Sequence, residues 1–304
     1  MTPFQHEALI YDGPQAFLAG TLPFVRDGLR AGEPVLVAVA EDKIALLQEH
    51  LGDDADDVRF VDMVELGANP TRIIPAWRDF AGASDGRPVR GIGEPVWAGR
   101  SQRELVECQL HEALLNVAFA DREGFRLMCP YDEGKLGPSV VHEARCSHPL
   151  VSCEGGSRVS HEFRAHDLLA PFEAPLPPPA GHAEVLSFED ELGDVRSTVA
   201  RAAARVGLDR ARAHDLMLAV NELAANSVQH GLGRGVLRIW READALVCEV
   251  RDRGRIDDPL AGRRRPALKD EGGWGLWVAN QVCDLVQLRT GPDGTVVRAF
   301  MRLD

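Results

Sequence analysis

No run of roughly 18 apolar residues occurs in the chain, so no transmembrane helix is expected. Met1 to Leu9 lacks the basic-then-apolar pattern of a signal peptide, so a cytoplasmic location is expected. Basic residues are in deficit: Lys and Arg total 34 against 47 Asp and Glu, a formal net charge of -13. That balance argues against direct nucleic-acid binding, which leaves a basic footprint. No Cys-x-x-Cys pair is present. The six cysteines, Cys108, Cys129, Cys146, Cys153, Cys248 and Cys283, are scattered, which excludes a disulfide framework as the organising device. Cys248 and Cys283 lie in apolar stretches and read as core thiols. No internal repeat is visible.

What is there suffices for two domains: 304 residues, 45% of them hydrophobic. The most informative stretch is Asn221-Glu222-Leu223-Ala224-Ala225-Asn226-Ser227-Val228-Gln229-His230-Gly231. It lies late in a helical pattern starting near Arg210, with Leu216, Val220, Leu223 and Ser227/Val228 as its apolar stripe. Glu222, Asn226 and His230 recur every four residues on another face. Gly231 is placed to end the helix. A carboxylate and a carboxamide one turn apart can hold a hydrated Mg²⁺ and orient a hydroxyl; a solvated polar face is the plainer reading. Two later segments favour the first. Asp252-Arg253-Gly254 follows a strand pattern at Ala245–Val250. Glu271-Gly272-Gly273-Trp274-Gly275-Leu276-Trp277 opens a helix over Val278 to Asp284. A glycine-rich turn feeding a helix N-terminus bares backbone N–H groups that suit phosphate.

This order of motifs, over about Glu184 to Asp304, resembles the GHKL (Bergerat) ATP-binding fold of gyrase, Hsp90, histidine kinases and MutL, and within it the small RsbW-like anti-sigma serine kinases. The resemblance implies an α/β sandwich, one mixed sheet covered on one face by helices. It implies ATP and Mg²⁺ as cofactors. Asn226 would bind the Mg²⁺ that bridges the ATP phosphates, and Glu222 would be the general base. Asp252 would accept from the adenine amino group, and Gly254 would let the backbone approach the base. Gly273 and Gly275 would form the phosphate lid, and Thr295 would sit near the adenine. Trp274 and Trp277 read as packing residues and His230 as a helix-end cap. The segment Arg253–Glu271 carries Arg253, Arg255, Arg263, Arg264, Arg265 and Lys269. It reads equally as a basic lid over phosphate or an acidic partner and as a solvated loop. It is short, as in the anti-sigma kinases.

The first half alternates strands and helices. Strands are expected at Glu7–Tyr11, Pro34–Ala40, Val58–Met63, Val89–Val96 and Phe125–Cys129. Helices are expected at Pro14–Arg30, Glu41–Leu51, Pro70–Ala81, Ser101–Phe119 and Gly137–Cys146. This is the pattern of a doubly wound, largely parallel sheet. The turn after the first strand, Asp12-Gly13-Pro14, is no P-loop. The half resembles the MEDS sensory domain, related in fold to RecA- and KaiC-type ATPases. The matching residues are Gly93-Glu94-Pro95-Val96-Trp97, Glu107-Cys108-Gln109, His111-Glu112-Ala113-Leu114-Leu115-Asn116, Cys129-Pro130-Tyr131-Asp132 and His148-Pro149. The expected division is residues 1–153, a Pro-rich linker at 154–183 (Pro171, Pro175, Pro177, Pro178, Pro179), and residues 184–304. The linker could also order against either domain.

Cys108 with His111, and His142 with Cys146, have helical ligand spacing, with His148 and Cys153 close by. Such donors can hold zinc, an iron–sulfur cluster or haem; without a tight cysteine pair, core thiols and ordinary histidines are the expected outcome. The resemblance as a whole implies a kinase that phosphorylates Ser/Thr of a STAS-type anti-anti-sigma protein and sequesters a sigma factor, tuned by the first half and able to form a homodimer. Two alternatives stand beside it: a nucleotide-gated anti-sigma binding protein without kinase activity, and a sensor histidine kinase. The last needs a dimerising hairpin with an acceptor His. His161, His166 and His182 lie outside any heptad pattern.

Overall fold

A computed structural model describes residues 2–153, 156–179, 181–267 and 273–303; Lys269, Glu271, Gly272 and the Cys153 side chain lie outside the described part. The chain divides into two compact units, Met1–Leu169 and Ala170–Asp304.

Unit one runs β1 (Gln5–Tyr11), α1 (Gly13–Arg30), β2 (Val35–Val39), α2 (Glu41–Leu51), β3 (Val58–Asp62), α3 (Met63–Leu66), α4 (Ile73–Gly82) and β4 (Val89–Gly93). It continues through α5 (Gln102–Ala118), β5 (Phe125–Asp132), α6 (Pro138–Ser147), β6 (Leu150–Cys153) and β7 (Gly156–Val159). The strand order is β3-β2-β4-β5-β1-β6-β7. All pairs are parallel except β6 with β7. Every residue of β2 and of β4 is buried, as expected where helices cover both faces. Leu9, Tyr11, Val35, Val37 and Val39 pack with Phe17, Val25 and Leu47 of α1 and α2 on one face. His6, Ala8 and Ile10 alternate to the other. Glu104 accepts from the Ser101 N–H at 2.7 Å, the expected capping box. Asn69 caps a 3-10 turn, Pro70–Arg72, and α4 starts only after it.

Unit two runs β8 (Glu184–Phe188), α7 (Gly193–Val206), α8 (Arg210–His230), β9 (Gly235–Arg241), β10 (Ala245–Asp252), α9 (Trp274–Val282), β11 (Leu285–Gly291) and β12 (Gly294–Arg302). The order is β11-β12-β10-β9-β8, and every adjacent pair is antiparallel. The mixed sheet expected from the sequence is therefore corrected to an antiparallel one. Two helices between β8 and β9 return the chain in the opposite sense. The α9 crossover brings β11 back parallel to β10, but β12 lies between them. The helices cover one face: Val195, Val199, Leu216, Val220, Leu223 and Ala279 pack on Leu237, Ile239, Cys248, Val250 and Val297. The opposite face carries a smaller cluster, Trp240, Ala245, Val247, Leu285 and Phe300. The Pro-rich residues orient to this unit. Arg298 of β12 donates to the Pro177 carbonyl at 2.5 Å, and Phe172 is buried. Helix α9 starts at Trp274 rather than Val278, because Gly273, at φ 87°, forms its N-cap.

Candidate functional site

Helix α8 is fixed at its start by Asp209, whose carboxylate accepts from the N–H groups of Ala211 and Arg212. Burial of Leu216, Ala219, Val220, Leu223 and Ser227 against the sheet sets its rotation. Its last turn then presents Asn226, Gln229 and His230 to a cavity of about 970 Å³. The C-terminal end of β10 adds Asp252. The loop beyond adds Gly254, Arg255, Ile256, Leu260, Arg264 and Arg265; the N-cap Gly273 and Leu276 of α9 follow, and β12 contributes Thr295. The volume falls in the range of small-molecule sites.

Asp252 is the best-anchored group in the cavity. Ser227 Oγ donates to its Oδ2 at 2.6 Å, and the Gly254 N–H donates to Oδ1 at 2.7 Å. Each carboxylate oxygen keeps lone pairs for a ligand donor. Thr295 Oγ1 donates to the Gly254 carbonyl at 2.9 Å and meets Thr290 Oγ1 at 3.1 Å, which ties the Asp252 turn to the closing hairpin. At Gly254 a Cβ would stand 2.6 Å from the His230 carbonyl oxygen, so only glycine lets the turn lie against the end of α8.

Of the residues expected from sequence, Asn226, Asp252, Gly254, Gly273 and Thr295 line one cavity. Gly275 lies behind it in the first turn of α9: a Cβ there would stand 2.7 Å from Asn226 Nδ2. Glu222 sits one turn before Asn226 on α8 and is not among the lining residues. His230 is a lining residue as well as a helix-end residue. Trp274 and Trp277 are half-buried and do not line the cavity. The loop arginines are partly neutralised at home: Arg255 pairs with Asp257 at 2.7 Å and Arg264 pairs with Asp258. Ser227 and Thr290 went unread in the sequence. The only available signal was a hydroxyl inside the apolar stripe of α8, and for Thr290 there was none.

The close fit at Gly275 makes a test. Gly275→Ala forces the Asn226 carboxamide to move while raising intrinsic helix propensity by roughly 1 kcal/mol. The expected outcome is a chain at least as thermostable as wild type that binds Mg²⁺-ATP at least ~10-fold more weakly, a loss of about 1.4 kcal/mol, read by calorimetric titration.

In unit one the candidate donors are regrouped. Cys108 donates to the Pro95 carbonyl at 3.3 Å. Cys146 meets His142 Nε2 at 3.6 Å near the surface. His148 instead joins His6, Glu112 and Cys129, fully buried. Burial disfavours charge on Glu112. The imidazoles of His148 and His6, which face the carboxyl, outweigh it and hold that group below the usual range.

Residues 5–149 match the family model of MEDS, the methanogen/methylotroph DcmR sensory domain. Residues 187–301 match the model of the histidine kinase-like ATPase domain. No curated protein matches the chain. Similar solved structures include the following two. One is the RsbU and RsbW domains of Rv1364c from Mycobacterium tuberculosis, at 20% identity over 40% of this chain and 32% of that one, TM-score 0.28. The other is the cytoplasmic domain of EssC, at 14% identity over 48% of this chain and 30% of that one, TM-score 0.28. The chain spans about a third of the length of these two proteins.

Proposed function

Because the chain carries a MEDS domain ahead of a histidine kinase-like ATPase domain, we propose that it is an ATP-dependent anti-sigma regulator. In this reading it phosphorylates Ser/Thr of a STAS-type anti-anti-sigma protein, sequesters a sigma factor, and is tuned by its first unit. The observation that carries it is the single cavity shared by Asn226, Asp252, Gly254, Gly273 and Thr295, with Arg255, Arg264 and Arg265 in its lining.

The residues fit a magnesium nucleotide. Asp252, with lone pairs spare on both oxygens, accepts from the adenine amino group while the bare Gly254 backbone lies along the ring. Asn226 Oδ1 is the hard oxygen donor for Mg²⁺. The N-terminus of α9, whose dipole favours an anion, would face the phosphates, and Arg265 adds positive charge to a lining in which Arg255 and Arg264 are already paired with Asp257 and Asp258. The Mg²⁺ supplies neutralisation of the phosphate charge. Glu222 takes the proton from the acceptor hydroxyl. Positioning does most of the remaining work in phosphoryl transfer.

Incubation of the chain with ATP and a STAS protein should label a serine or threonine of that protein. Glu222→Ala should slow the transfer by roughly 10²- to 10⁴-fold with nucleotide affinity unchanged. The position of Glu222 off the cavity lining favours a second reading, a nucleotide-gated binding protein without kinase activity. Absence of label while ATP binds, together with ADP-dependent co-elution with a sigma factor, would replace the first reading with the second. For a histidine kinase the geometry is poor: among the described residues between β7 and β8, where His161, His166 and His182 lie, there is no α-helix to build a dimerising hairpin.

A further inference from the structure

We propose that unit one holds one divalent first-row transition ion of the zinc class on His6 Nε2, His148 Nε2, Cys129 Sγ and a Glu112 carboxylate oxygen. The four side chains come from β1, the residue after α6, β5 and α5. All are at most 1% exposed, and their donor atoms lie within 4.8 Å of one another.

The spacings suit a tetrahedron. Ligand atoms at zinc–nitrogen, –oxygen and –sulfur bond lengths stand roughly 3.3–3.6 Å apart. Here His6 Nε2 is 3.1 Å and His148 Nε2 3.3 Å from Glu112 Oε2, and Cys129 Sγ is 3.4 Å from His6 Nε2. The outer contacts fix the tautomers. The Asn116 amide donates to the Ser147 carbonyl at 2.9 Å, which turns its Oδ1 to His6 Nδ1 at 3.2 Å. His148 Nδ1 faces the Ala144 carbonyl at 2.7 Å, and a carbonyl only accepts. Both Nδ1 atoms therefore carry the hydrogen, and both Nε2 lone pairs converge on a carboxylate. This is the arrangement of metal-ligating histidines, whose second nitrogen donates to a carbonyl. Glu112 Oε1 and His148 Nε2 are buried without a hydrogen-bond partner.

Charge decides between a metal and a proton network. Protonating both rings would put two imidazolium ions, with centroids 4.0 Å apart, around one carboxylate in a dry interior. A divalent ion with one thiolate and one carboxylate is neutral. On binding, the Cys129 S–H bond breaks, its proton leaves to water and the sulfur–metal bond forms. The thiolate and imidazole donors exclude Mg²⁺ and Ca²⁺. Four protein ligands make a closed site, so the ion clamps two strands to α5 and to the end of α6 rather than activating water.

The full-length chain, produced with cobalt as the only supplied transition metal, should contain one Co²⁺ per chain with tetrahedral d–d bands and a thiolate-to-cobalt band. Cys129→Ser should lose the thiolate band, and Cys108→Ser, whose thiol lies outside the cluster, should keep it. Asn116→Ala, which frees the His6 ring, should weaken Co²⁺ binding by roughly 10- to 100-fold; this readout stands even where Cys129→Ser does not fold. A folded wild-type chain without bound Co²⁺ or Zn²⁺ overturns the proposal. So does a thiolate band that disappears in Cys146→Ser, because the group of His142, Glu162 and the buried Cys146 would then be the binder.

Discussion

Asp252→Asn weakens ATP binding by roughly 10- to 100-fold and leaves the fold in place. The two oxygens of Asp252 face different donors. The Gly254 N–H can only donate, so the Asn carbonyl oxygen must turn to it. The Asn amide then faces Ser227, whose hydroxyl rotates from donating to accepting. The local structure therefore survives the exchange. What is lost is an anionic acceptor inside the cavity: a neutral carboxamide with one accepting oxygen replaces a carboxylate with two. A hydrogen bond to a charged group contributes about 1.5–3 kcal/mol, one to two decades in Kd. Calorimetric titration with ATP, beside a thermal melt, checks both halves. Equal affinity with an unchanged melt would mean that the base does not sit at Asp252, and the whole assignment of the cavity would have to be turned round.

Local periodicity made much of this site legible. Asn226 could be read from the polar face of α8, Asp252 from the end of an alternating strand, and Gly273 and Gly275 from a glycine turn that starts a helix. Each signal lies within a few residues of itself. The grouping of Glu222, Asn226 and His230 was legible only approximately. Four residues advance an α-helix by about 40° beyond a full turn, so Glu222 and His230 diverge by about 80° and only the last two reach the cavity. The strand partners were not legible, because alternation identifies a buried face but not its neighbour: hence an antiparallel sheet where a mixed one was expected. The cluster in unit one is the extreme case. Helical spacing exposed Cys108 with His111 and His142 with Cys146. His142 and Cys146 do meet, but the buried group, His6, Glu112, Cys129 and His148, is joined across a separation of 106 residues between its first two members. Its one local trace is polar side chains at inward positions of apolar strands.

Glu249→Ala destabilises unit two by roughly 3–5 kcal/mol, the cost of leaving a buried charge without its partner. Glu249 lies on the sheet face away from the helices and is fully buried. Its register partners are Arg298 on β12 and Arg238 on β9. Arg298 Nε and Arg251 Nε each donate to it at 2.5 Å, on separate oxygens, and Arg238 is 3.7 Å away. Arg298 is only 4% exposed and also holds the Pro177 carbonyl, so removing Glu249 strands a guanidinium between Trp240 and the Pro-rich segment. Replacing Glu249 and its one buried partner with apolar residues, Glu249→Leu with Arg298→Met, should cost less than Glu249→Ala alone, because the guanidinium groups that then lose Glu249, those of Arg251 and Arg238, are about a third exposed and reach water. The same pair sets a pH dependence. Burial opposes the charge on Glu249, but the bonds from Arg251 and Arg298 prevail and hold its carboxyl below the usual range. The stabilisation is therefore complete above the ordinary Glu value of about 4.3 and is lost as the pH falls through the lowered folded value. Urea midpoints followed across that acid range should fall for wild type and stay flatter for Glu249→Gln. Parallel slopes would show that Glu249 is not what acid titrates in this sheet.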